Sequence, residues 1–196
     1  FRFAIVAFGF FLFSIFKKEK IFVTKKKAIE SILSGMLFHG IYLGGVFFSI
    51  SRGLPTGIAA LIVTLNPVLT NALAGPLLGE KVTAKQWIGV ILGFLGAAIV
   101  LGLEIGTTLP TIGIIAVFIS LLAVTSATLW QKKLSNNLSL PVSNMYQAIG
   151  GFLFNLLIVL FLAKPYINFS STFIIAMSHQ ILLVSFGAFT ILMYLI

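Results

Sequence analysis

Apolar residues along this chain gather into seven runs, and the polar positions between them are few and closely grouped. The runs cover residues 3–16, 28–50, 57–78, 84–103, 110–131, 143–163 and 172–196. All but the first reach the roughly 20 residues that a helix needs to cross a hydrocarbon layer. The pattern predicts an all-α fold, a polytopic transmembrane helical bundle of about seven spans.

Local breaks refine it. Asn66-Pro67 falls in the middle of the third run, and Pro67 has no N–H to offer the Val63 carbonyl, so a broken helix is expected there. The third and fourth runs are joined by the short turn Gly79-Glu80-Lys81-Val82-Thr83. Thr83 and Gln86 have the spacing of a capping box, in which side chains satisfy the first orphan amides of a helix. Pro110 suits the opening turn of the fifth run. Gly89, Gly93 and Ala97 recur every fourth residue on the fourth run, as do Gly40 and Gly44 on the second. Such rows let helices approach closely, and packing is the expected use of them.

Composition agrees: 59% of residues are hydrophobic and 9% charged, with mean hydropathy +1.15. A water-soluble domain carries about a quarter charged residues, so lipid is the expected solvent. The net charge of +9 does not point to nucleic acid, because the lysines sit in short loops between apolar runs. One set of alternate loops holds Lys17, Lys18, Lys20, Lys25, Lys26, Lys27, Lys81, Lys85, Lys132 and Lys133, and the other only Arg2, Arg52 and Lys164. Ten against three puts the first set in the cytoplasm and residue 1 outside. There is no cysteine, which removes disulfides and thiolate chemistry. The chain opens on Phe1 and closes on Ile196 within an apolar run, so a piece of a longer protein is expected.

The motif order is also distinctive. A leucine-rich helix with Asn66-Pro67 is followed by L-G-E-K-V-T (Leu78 to Thr83) and then Q-W-I-G-V-I-L-G-F-L-G-A-A-I-V (Gln86 to Val100). This stretch resembles the EamA family of the drug/metabolite transporter superfamily. The resemblance implies a ten-helix fold built from two five-helix repeats of inverted topology, with the seven runs as its helices 2–8. Residues 1–103 would be a first repeat lacking its first helix, and residues 104–196 a second repeat truncated after its third. It further implies a multi-pass carrier in the cell inner membrane. Such a carrier moves small organic metabolites by alternating access, with export of amino acids or related compounds expected and a gradient as the energy source. An importer or exchanger, and a non-transporting membrane subunit or scaffold, stand as alternatives. The expected partners are a small-molecule metabolite and the lipid bilayer, with no nucleic acid and no cofactor.

Candidate substrate contacts are polar residues at membrane depth, where such groups are costly and face cavities or other helices. On the second run Ser31, Gly35, His39, Tyr42 and Ser49 share a face at helical spacing, with His39 near mid-span. A histidine there can carry a proton or hydrogen-bond a solute, against the plainer reading of a neutral interhelical bond. Thr64 and Asn71 share one face of the broken run, Asn66 and Thr70 another. Broken helices at mid-membrane line binding sites in transporters, with a packing kink as the alternative. On the sixth run Asn144, Gln147, Gly151 and Asn155 share a face, and Gln147 and Asn155 are the candidates. Trp87 and Trp130 fit interfacial anchors better, and His179 lies near the outer end of the last run. There is no aspartate, and Glu19, Glu30, Glu80 and Glu104 all lie near span ends, so proton coupling through a buried carboxylate has no candidate. Neither a phosphate loop nor metal-ligand spacing is present, and an enzyme is not expected.

Overall fold

The computed structural model describes residues 1–79, 83–101, 109–135, 138–162, 169–188, 191 and 195. Glu80, Lys81 and Val82 of the polar turn, Glu104, Lys164 and the Ala97 side chain lie outside the described residues. Among those described, regular structure is helical throughout, with no strand. The seven runs become α1 (Arg2–Phe16), α2 (Lys25–Ser51), α3 (Thr56–Leu78), α4 (Ala84–Leu101), α5 (Thr111–Ser135), α6 (Leu140–Leu162) and α7 (Ser171–Ala188). Helices α2, α3, α5, α6 and α7 are long and apolar enough to cross a membrane. The apolar parts of α1 and α4, Arg2–Phe16 and Ala84–Gly96, are shorter. Large apolar side chains remain exposed along these helices, Phe161 to 79% and Leu122 to 59%, as lipid-facing residues are.

The break in α3 falls at Thr64 and Leu65, between Thr56–Val63 and Asn66–Leu78. Pro67 withdraws a donor, and the Leu65 amide shifts to the Ile62 carbonyl at 3.1 Å. That leaves the Leu61 carbonyl, which accepts the Thr64 hydroxyl at 2.6 Å. The helix resumes with the Leu69 amide on the Leu65 carbonyl at 3.0 Å. Gly79 ends α3 in the left-handed conformation, φ 71°, which glycine adopts without the Cβ penalty. At the start of α4 the Thr83 amide donates to Gln86 Oε1 at 2.8 Å, and the Gln86 amide lies 3.4 Å from Thr83 Oγ1. This is the reciprocal capping box. Thr83→Ala is expected to cost about 1 kcal/mol, read as a lower unfolding midpoint followed through Trp87 and Trp130 fluorescence.

One feature departs from the periodicity. Met36–Tyr42 in α2 and Gln180–Ala188 in α7 are π-helical. A π turn inserts an extra residue and rotates everything beyond it around the helix axis. The π turn falls within the face expected for Ser31, Gly35, His39, Tyr42 and Ser49. Ser31 and Gly35 are buried before the π turn, His39 is buried and Tyr42 half-buried within it, and Ser49 is buried beyond it.

The chain divides into two compact units, residues 1–40 with 130–196, and residues 41–129. In the first, Val6 and Phe10 of α1 pack with Met145 and Ala148 of α6 and Ile181 of α7. Here α2 and α6 touch backbone to backbone: a Cβ at Gly35 would run into the Gln147 carbonyl, and one at Gly150 into the Ile32 carbonyl. In the second, Leu54, Ala59 and Val117 form the core. Gly113 lies close enough to α2 that a Cβ would sit 3.1 Å from the Ser49 carbonyl oxygen. The expected packing row on α4 differs from this. Cβ atoms at Gly89 and Gly93 would meet nothing within 4 Å, nor would one at Gly44. In the two rows of small residues, Gly40 is the glycine in tight contact, against the Phe154 ring.

Candidate functional site

In the first unit a seam of polar side chains follows the contact between α2 and α6. On α6, Ser143, Gln147, Gly151 and Asn155 fall every fourth residue and so occupy one face. On α2, Ser31, Ser34 and His39 are all buried. Asn144 and, from the end of α5, Gln131 are buried too. Gln131 Nε2 donates to Gln147 Oε1 at 2.7 Å, and Gln147 Nε2 donates to Ser143 Oγ at 3.1 Å. Asn155 Nδ2 donates to the Gly151 carbonyl at 2.7 Å and lies 3.4 Å from the His39 carbonyl. The His39 ring is held between Phe3, at 4.7 Å between centroids, and Phe38, at 5.2 Å. Gly151 permits this close approach, since a Cβ there would lie 2.7 Å from His39 Cβ.

The bond from Gln131 to Gln147 joins α5 to α6, as interhelical packing would require, and that from Gln147 to Ser143 stays within α6. The neighbouring atoms are another matter. The Ser31 and Ser34 hydroxyls, Gln131 Oε1 and both amide atoms of Asn144 are buried without a hydrogen-bond partner among the described residues. Buried polar groups are nearly always paired, and each exception calls for a cause. Every one of these groups is a neutral amide or hydroxyl, and an apolar replacement of similar shape would have avoided the cost of burying it. Ser34 and Ser143 were not singled out from the sequence; a serine in an apolar helix bonds locally so often that its type carries little signal.

The second unit holds a cavity of about 480 Å³ between α3 and α4. Thr64, Pro67 and Asn71 line it from α3, and Gln86, Gly89 and Gly93 from α4. Thr64 and Asn71 thus come together as their spacing predicted, and the α4 glycines form cavity wall rather than a helix contact. Asn66 points elsewhere. Its Oδ1 lies 3.1 Å from the Thr70 hydroxyl and 3.0 Å from that of Thr125 on α5, tying the break in α3 to its neighbour. Tyr42 lines a separate apolar cavity of about 340 Å³ with Val46, Ile50, Thr56 and Ala59. Thr125 was not foreseen, because its partner lies 59 positions away in the chain. Gln86 was read only as a cap, yet it also faces the cavity.

Residues 1–102, which include the broken helix, the capping box and the α4 glycine row, match the EamA-like transporter family. The chain belongs to this family. It is also 26% identical over 171 residues to the "Uncharacterized transporter YvbV" of Bacillus subtilis (strain 168), a match covering 82% of this chain and 54% of the relative. The chain therefore spans about half the length of the curated relative it matches. No solved structure matches it. Membership of the EamA family and the apolar helices together make this a multi-pass membrane protein. His39, Tyr42, Thr64, Asn66 and Asn71 lie within the matched residues, whereas Gln147 and Asn155 lie beyond them.

Proposed function

We propose that the protein carries a small organic metabolite out of the cytoplasm, with amino acids and related compounds as the solute class. The observation that carries this reading is the seam of buried neutral amides and hydroxyls in the first unit, several of them without a partner among the described residues. Leaving such groups unpaired costs about 1–3 kcal/mol each. A solute bearing amino, carboxylate or amide groups would supply the missing bonds, so the cost falls when it occupies the seam. The backbone contact at Gly35 and Gly150 leaves no room for a solute in the present arrangement. Occupancy therefore requires α2 and α6 to part, as alternating access demands. Gln147, Asn155 and His39, with the unpartnered Asn144 beside them, are the contacts in this unit, and Thr64 and Asn71 those of the cavity in the other.

The wider reading keeps residues 1–103 and 104–196 as parts of two inverted repeats in the cell inner membrane. Transport would be driven by a gradient, because no phosphate-binding loop is present in the sequence. Family membership supports it. The test expresses the full-length protein in bacteria and profiles metabolites inside and outside the cells by mass spectrometry. Selective depletion of one compound from the cells is expected, and Asn144→Leu should reduce it at least about tenfold with protein still in the membrane. Accumulation inside the cells would replace export with import. No change in any amino acid or related compound would overturn the assigned solute class, and full export by the Asn144 variant would remove the seam from the path.

A further inference from the structure

A second feature of the first unit lies at the lysine-rich ends of the helices and takes no part in the polar seam. The segment joining α1 to α2 carries Lys17, Lys18 and Lys20 with Glu19, and the first turn of α2 adds Lys25, Lys26 and Lys27, with Glu30 one turn further along. This end borders an open cavity of about 370 Å³ lined by Lys20, Thr24 and Lys27 and, on the other side, by Ser139 just before α6. Glu19 and Phe22 also line it. Two helices begin at this cavity, α2 at Lys25 and α6 at Leu140. Their amide ends add positive potential to that of the lysines.

The surroundings are those of a bilayer surface rather than of water. Phe22 is 94% exposed and Phe16 84% exposed, both beside lysines. Aromatic rings flanked by lysines suit the headgroup layer, where the ring is sheltered and the ammonium stays hydrated. Along α2 below the loop, Ile29 and Leu33 are exposed apolar residues one turn apart, on which an acyl chain can lie. The charge count of the loops places this end of the helices in the cytoplasmic leaflet, where anionic lipids concentrate.

We propose that this cavity binds the phosphate headgroup of an anionic phospholipid, with Lys20 and Lys27 as its cationic contacts. Thr24 and Ser139 supply hydroxyl donors to the phosphate oxygens, and Phe22 anchors the loop among the headgroups. A volume of this size falls within the range of about 300–1,000 Å³ typical of small-ligand sites. The inference rests on the placement of the loop at the cytoplasmic surface and not on the carrier reading, so it stands whatever the solute.

The experiment uses the full-length protein purified in a neutral detergent. Phosphatidylglycerol, phosphatidylcholine or inorganic phosphate is added, and retention is read by native mass spectrometry and the unfolding midpoint by tryptophan fluorescence. Phosphatidylglycerol is expected to remain bound and to raise the midpoint, with phosphatidylcholine doing neither. The double variant K20Q/K27Q should weaken retention at least about tenfold. The variant K25Q/K26Q, which removes the same charge from the same end of the helices but outside the cavity wall, should retain the lipid within about twofold. Equal loss in both variants would overturn the site in favour of diffuse attraction. Equal stabilisation by inorganic phosphate would overturn the lipid in favour of a free anion. No preference for phosphatidylglycerol in the wild-type protein would overturn the proposal without recourse to any variant.

Discussion

Gly35→Ala and Gly44→Ala are expected to change stability in opposite directions, although both replace a glycine in α2. At an open helical position the exchange of glycine for alanine stabilises by about 0.5–1 kcal/mol, because glycine loses more backbone freedom on folding. Gly44 is such a position, with nothing within 4 Å of an added Cβ. Gly35 is not, because the methyl would enter the space held by the Gln147 carbonyl. That neighbour is helix backbone and cannot swing aside like the end of a flexible side chain. The helices must separate, and contacts along the whole α2–α6 interface loosen together. Overpacking of this kind costs about 1–3 kcal/mol and more where the surroundings are rigid, so Gly35→Ala should reach the top of that range. Gly150→Ala, against the Ile32 carbonyl, should behave alike. The measurement is the unfolding midpoint in detergent by tryptophan fluorescence. A Gly35→Ala protein as stable as wild type would mean that α2 and α6 do not meet at this contact.

The contrast between these glycines marks where the sequence was readable. Helix number, the all-α class, the break at Asn66-Pro67 and the capping box at Thr83 were legible because each is local: length, one missing N–H, or one side chain reaching three residues along. The glycine rows were legible as small residues but not as contacts. Spacing shows which glycines share a face and is silent on what that face meets. Thus Gly89 and Gly93 border a cavity, while Gly35 and Gly150, which form no conspicuous row, carry the backbone contact. The π turn at Met36–Tyr42 was illegible for another reason. No residue type encodes it, and within it His39 is buried while Tyr42 is only half-buried. The candidate polar residues were legible by type and depth. Their division into paired and unpaired groups depends on which helix each one meets, as the bond from Gln131 to Gln147 illustrates.

Asn66 and Asn71 provide the sharpest separation of structure from transport. They are the same residue type, five positions apart on one helix, and they face opposite ways. Asn66 accepts from Thr70 and Thr125, so Asn66→Ala leaves two hydroxyls without that acceptor. Thr125 retains the Leu121 carbonyl at 2.8 Å, which softens the loss. The cost should fall at about 1–3 kcal/mol, the usual range for removing one partner of a buried bond. It should appear as a lower unfolding midpoint, with the link from α3 to α5 weakened. Asn71 lines the cavity beside Thr64 and Gln86, and Asn71→Ala removes an amide that faces open space. Its midpoint should stay within about 0.5 kcal/mol of wild type. If the cavity takes solute, the same variant should lose export at least about tenfold in the metabolite assay, as expected for a hydrogen bond made to the transported molecule. Asn66→Ala, corrected for the amount of folded protein, should export nearly as well as wild type. The reverse outcome, a stable Asn66→Ala protein without export beside an unstable Asn71→Ala protein that retains it, would exchange the roles of the two faces and move the site from the α3–α4 cavity to the side where α3 meets α5.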